Sequence, residues 1–175
     1  MTALVFGVIA GVLASVAERA DMIFTGGNAT PLGFINTYTW ILISAALFGP
    51  LGAIITTEVQ AFIGLITFAN PLSWLWPFVN FIFAGVVGFV SKGILRLRPK
   101  IDLRLRILTM SVACAILDIP LTYVVVVMAL GLPFVFFLAA LPIYLFLQLV
   151  PSTMLAYMIL KSILKSKILE YQTLE

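Results

Sequence analysis

Long apolar runs alternate with short polar breaks along this chain, and the spacing of the breaks predicts helices that cross a membrane. A bilayer core ~30 Å thick needs roughly 17–25 apolar residues per crossing, and shorter pieces serve inside a bundle. The pattern predicts six spans, at residues 2–20, 33–48, 51–68, 77–95, 105–130 and 134–165. Turn-rich "TGGNATP" separates the first two, and Gly49-Pro50 separates the second from the third. "ANPLSWLWP" precedes the fourth span, and "GLP" at 131–133 precedes the sixth. The expected architecture is an all-α integral membrane protein whose single six-helix domain covers residues 1–175.

Composition agrees with this reading. The chain is 63% hydrophobic and only 10% charged, with a mean hydropathy of +1.20. A soluble domain needs far more charge to cover its surface. The charges are also clustered: Glu18, Arg19 and Asp21; the run 92–106; and the tail from Lys161 onward. These clusters are expected to mark water. Nine of the ten Lys and Arg lie in the second and third clusters, a topology signal rather than a nucleic-acid signal. By the positive-inside rule "KGILRLRPKIDLRLR" and "KSILKSK" belong in the cytoplasm, and with six spans both termini do too.

Some functions are excluded by what the chain lacks. It has no His and one cysteine, Cys114, so a His-rich metal site and an intramolecular disulfide are ruled out. Cys114 sits in an apolar run and reads as a packed, inert thiol. No P-loop is present, so this chain does not itself grip ATP phosphates, and no metal-ligand spacing or serine elbow suggests an enzyme. Neither a metal nor a cofactor is expected.

Glu58 is the lone charge between Met22 and Ser91, and Asp118 the lone charge between Ile107 and Leu160. An ionisable group costs at least ~2.5 kcal/mol at a bilayer centre, so each has a functional reading: it lines an internal cavity, binds a polar or cationic ligand, or exchanges a proton. Each also has a structural one, in which it is neutral or satisfied by a hydroxyl such as Thr57 or Thr122, with Pro120 favouring local repair near Asp118. Glu58 is expected to face the substrate cavity, with Asn80, Trp74 and Trp76 closing its outer side. Asn36 and Tyr38 complete the candidate substrate-binding set. Gln60, aligned with Thr56 and Gly64, reads as an interhelical hydrogen-bond seam, and Gln148, three residues before Pro151, as mainly structural. In the first span Ala3, Gly7, Ala10, Ala14 and Ala17 form a stripe of small residues that lets another helix approach closely, either within the bundle or from a partner.

These features together resemble the substrate-binding S components of energy-coupling factor (ECF) vitamin transporters. The resemblance is carried by the stretch "LFGPLGAIITTEVQAFIGLITFANPLSWLWPFVNFIFAGVVGFVSKG" at 47–93, with its Gly-Pro corner, acidic span, Pro/Phe-rich loop and Gly-rich fourth span. Ala10 and Ala14 are similar to the family's AxxxA contact for the transmembrane coupling subunit. The resemblance implies a binding subunit in a prokaryotic plasma membrane that captures a vitamin or precursor from outside. It also implies partners, a coupling subunit and two ATPase subunits, and a lid between spans one and two, here with Gly26, Gly27 and Asn28. Arg19 is the only basic residue in the outer half, so a substrate with several carboxylates or phosphates is disfavoured. Acids with Trp and Tyr favour a small amino-bearing heterocycle, thiamine-like or otherwise. The alternatives are a solitary proton-coupled carrier using Glu58 and Asp118, and a non-transporting membrane scaffold.

Overall fold

A computed structural model describes residues 1–25, 31–67, 73–129 and 131–166. The described residues are helical almost throughout, with no strand among them. The helices are α1 (Thr2–Thr25), α2 (Pro31–Ile66), α3 (Trp76–Leu97), α4 (Leu103–Tyr123), α5 (Phe134–Leu147) and α6 (Thr153–Lys165). A short 3₁₀ turn, Ser73–Leu75, leads into α3. Val124–Ala129 extends α4 in wider π-helical geometry, and a second π-helical segment, Gln148–Ser152, joins α5 to α6. Five helices are long and apolar enough to cross a membrane: Thr2–Phe24, Pro31–Ile66, Pro77–Leu97, Leu103–Ala129 and Phe134–Lys165.

The longest of them is folded back on itself. Gly49 sits at φ 65°, ψ −146°, a backbone region that is almost closed to side-chain-bearing residues. Pro50 follows, and its missing N–H and fixed φ suit the first position of a new helix. The two arms, 31–48 and 50–66, therefore turn back against each other. The Ser44 and Thr56 hydroxyls share a hydrogen bond of 2.7 Å. In a straight helix, residues twelve apart stand about 18 Å from each other.

The first arm is the hub. Ile41, Leu42, Ile43, Ala45 and Ala46 are all buried, so this arm is covered on nearly every side. Val87 of α3, Met110 and Cys114 of α4, and Ala156 and Leu160 of α6 pack in the same core. The outer surfaces of the other helices are apolar. Leu4, Val5, Ile9 and Val16 of α1 and Phe78, Phe81 and Phe89 of α3 are exposed, as lipid contact requires.

Close approach is made possible by absent side chains. A methyl group at Gly11 would lie 2.6 Å from the Thr56 carbonyl oxygen. One at Gly88 would overlap the Pro50 backbone. The small-residue stripe of α1 is used internally: Ala10 and Ala14 are 1% and 0% exposed. They offer no surface to another protein in this structure, which corrects the expectation of a partner contact at these two positions. The physical reason is that α1 packs against both arms of α2, so the stripe is consumed by the chain's own bundle.

Helix α1 also runs past the predicted end at residue 20. Asp21 Oδ2 accepts the backbone N–H groups of Leu32 (2.6 Å) and Gly33 (3.0 Å), capping the start of α2. At the opposite end of the bundle, Arg106 Nη2 donates to the Ala46 carbonyl and to Ser91 Oγ, the latter at 2.8 Å. This ties α4 to the end of the first arm and to α3.

Gly88→Ala is expected to destabilise the fold by about 1–3 kcal/mol, because α3 must move off the α2 turn. Gly93→Ala, with open space around its added methyl, is expected to be neutral or slightly stabilising. Thermal unfolding of the detergent-purified variants provides the comparison. Matching midpoints would mean that the Gly88–Pro50 contact does not hold the turn.

Candidate functional site

Two buried polar clusters lie within the bundle. The first is a seam joining α1, the second arm of α2, and α3. Gln60 Nε2 donates to Glu18 Oε2 at 2.8 Å. Asn80 Nδ2 lies 3.2 Å from the Thr57 carbonyl and 3.4 Å from Gln60 Oε1. Gln60 thus spans two helices, as its alignment with Thr56 and Gly64 implied. Glu18 was expected to mark water, yet it is half-buried and held by an amide donor. Arg19 lies beside it. Among the described residues its Nη1 reaches the Met22 sulfur, at 3.6 Å, while Nε and Nη2 are buried without partners.

The second cluster surrounds Asp118 on α4. Tyr38 and Thr122 present their hydroxyls to the carboxylate. Oδ2 nevertheless has no geometrically sound partner, and it is buried. Cys114, one turn earlier, is in reach of both Asp118 and the Gln148 side chain. Gln148 is 0% exposed, and neither Nε2 nor Oε1 has a partner. Aromatic rings stand beside this cluster. Tyr38 lies 4.4 Å from Phe34 and 5.5 Å from Phe83 between centroids, and Phe34 lies 5.0 Å from Tyr144.

The sequence explains why Gln148 is in this position. Pro151 has no N–H to give the Leu147 carbonyl four residues earlier. Ser152 Oγ donates to that carbonyl instead, at 2.9 Å. The Gln148 carbonyl, in turn, accepts from Ser111 Oγ (3.2 Å) and Thr153 Oγ1 (3.3 Å). Thr39 Oγ1 on the first arm reaches the Ser152 carbonyl at 3.4 Å. Hydroxyls from three helices therefore repair the widened backbone, and the Gln148 amide is left over. Sequence reading took Gln148 as mainly structural.

The remaining candidates divide. Asn36 is a bracket: Nδ2 donates to the Leu13 carbonyl at 3.0 Å, and Oδ1 accepts from Trp40 Nε1 at 3.2 Å. Trp74 is 58% exposed. Trp76 opens α3, and its side chain lies outside the described residues, as do Gly26, Gly27 and Asn28. Glu58 does not face the interior. It shares a helix face with Leu51 and Phe62, both more than half exposed. Its Oε1 is buried without a partner, screened within this apolar flank. The second arm turns Glu58 away from the first arm, to the face it shares with Leu51 and Phe62, and leaves it half-buried.

Among the described residues no group of three or more Asp, Glu or Cys converges to hold a metal ion. Comparison with family models, curated proteins and solved structures gives no match to this chain.

Gln60→Leu is expected to lower stability by about 1.5–3 kcal/mol, since it strands the Glu18 carboxylate. Glu58→Gln is expected to be neutral or slightly stabilising, because it removes a charge whose Oε1 is buried without a partner and breaks no hydrogen bond. Unfolding in detergent reads both. A larger loss at residue 58 than at residue 60 would reverse the assignment of inner and outer faces.

Proposed function

We propose that the chain is the membrane-embedded substrate-binding subunit of an ECF-type importer for a small vitamin or vitamin precursor. The observation that carries this reading is the hairpin in α2. Each arm is about 25 Å long at 1.5 Å per residue, enough to cross a membrane within a bundle. Counting the arms separately raises the crossings to six and returns both termini to one side. That side is the cytoplasm: Lys92, Arg104, Arg106 and Lys161 gather at the end of the bundle that carries the Gly49 turn.

The ligand then enters from the opposite end. The Phe34, Tyr38 and Tyr144 rings supply flat apolar faces there, above Asp118. A single-ring heterocycle bearing an amino group fits such faces. The coupling subunit binds a face of the bundle other than Ala10 and Ala14, and ATP hydrolysis by its two ATPase partners drives release inward. A second reading is a solitary ion-coupled carrier, favoured by the unpartnered oxygen of Asp118.

Two measurements test the proposal. In a Cys114→Ala background, single cysteines at Asn28 and Ser73 should label from outside intact cells, and one at Arg98 should not. External labelling at position 98 overturns the orientation. The affinity-tagged chain, purified from its native membranes, should bring down a coupling subunit and ATPases. Ligand uptake by vesicles holding this chain alone would instead establish the carrier reading.

A further inference from the structure

We propose that the Asp118 cluster is a binding site for a monovalent cation, sodium, in the interior of the bundle. This does not depend on whether ATPase subunits drive the protein. Two side chains carry the inference, and each is at least nine-tenths buried. Asp118 Oδ2 and both polar atoms of Gln148 lack any hydrogen-bond partner. Such groups are rare in folded proteins because each costs about 1–3 kcal/mol, and more where the group is charged. Both flank one buried thiol, Cys114, and a cation between them would pair Asp118 Oδ2 with Gln148 Oε1.

The identity of the occupant follows from size, charge and donor type. Gln148 and Cys114 are fully buried, which excludes a ring-sized ligand from their side chains and leaves at most an occupant of atomic dimensions. One carboxylate in an apolar span is neutralised by one positive charge, and a divalent ion would leave an excess. The available ligands are oxygens: Asp118 Oδ2, Gln148 Oε1 and the hydroxyls of Tyr38 and Thr122. Carboxylate, amide and hydroxyl oxygens suit hard cations, whereas the one sulfur nearby is a buried thiol. A proton on Asp118 would satisfy Oδ2 alone and leave Gln148 Oε1 unpaired, whereas a cation takes both oxygens. Water would satisfy Gln148 and leave the charge.

The surrounding backbone supports the same conclusion. Gln148 begins the π-helical segment, and Asp118 lies two residues before Pro120 and six before the π-helical end of α4. Interrupted helices of this kind are where membrane proteins bring ion-coordinating groups together.

The test uses the purified full-length chain in detergent. Thermal unfolding is followed in sodium, potassium and choline chlorides at equal ionic strength, and 22Na+ binding is measured on the same material. Saturable 22Na+ binding at one site per chain is expected, with a midpoint about 5 °C higher in sodium than in choline. Asp118→Asn should abolish both. Should that variant not fold, Thr122→Val and Tyr38→Phe retain the carboxylate and should each weaken 22Na+ affinity about tenfold. Identical midpoints in the three salts, stabilisation by acid but not by sodium, or wild-type 22Na+ binding in Asp118→Asn or in both hydroxyl variants would overturn the proposal.

Discussion

The rest of the bundle depends on the contact between the Gly49-Pro50 turn and Gly88. Lipid is as apolar as leucine, so helices in a membrane are not driven together by the hydrophobic effect. They hold through close packing and hydrogen bonds. The turn reverses α2 within a single residue, and the absent side chain at Gly88 lets α3 lie directly on it. The first arm is thereby surrounded by the second arm, α3, α4 and α6, and it becomes the most deeply buried part of the molecule. Arg106 then reaches the Ala46 carbonyl near the end of that arm, where the turn has left acceptors without helical donors.

The same constraint sorts the polar residues. Once the arm 50–66 is fixed against α1 and α3, every residue on it has an assigned direction. Thr56 meets Ser44 of the first arm, Gln60 meets Glu18 and Asn80, and residue 58 is turned outward. Two acids that look alike in sequence, each alone in a long apolar run, therefore have different surroundings. Asp118 faces the core from α4, where hydroxyls from α2 and from its own helix surround it. Glu58 is half-buried on the face it shares with Leu51 and Phe62, with Oε1 unpaired.

How much of this was legible in the sequence follows from what each feature depends on. The helices were legible because their ends are local: Gly49-Pro50 and Pro133 before α5 are marked by residue type alone. The end of α1 was not. Glu18, Arg19 and Asp21 look like a water-facing cluster, but Asp21 is occupied in capping α2, eleven residues away, and Glu18 in holding Gln60, forty-two residues away. Faces were the least legible. A small-residue stripe states that something approaches closely, without stating what, and at Ala10 and Ala14 the answer is the chain's own α2. The direction of Glu58 required the turn geometry, which no periodicity within 50–66 encodes.

Polar groups that remain unsatisfied carry most information about function because the surrounding structure has had every means to satisfy them. Around Gln148, four hydroxyls, from Ser111, Ser152, Thr153 and Thr39, are already committed to backbone carbonyls freed or exposed by Pro151 and its widened turn. A neighbourhood this rich in donors could readily have paired the side-chain amide as well. That it instead repairs the backbone and leaves Gln148 and Asp118 Oδ2 open separates two roles within one cluster. The hydroxyls keep an interrupted helix stable in lipid, and that stability lets the interruption present side-chain oxygens to the core. The Glu18–Gln60–Asn80 seam shows the contrast. There each amide is spent on a neighbouring helix, which suits a fixed joint between α1, α2 and α3 rather than a site. The amides of Gln60 and Asn80 thus join α1, α2 and α3, whereas on α4 and the segment between α5 and α6 prolines and π-helical turns leave the Gln148 amide and Asp118 Oδ2 unpaired.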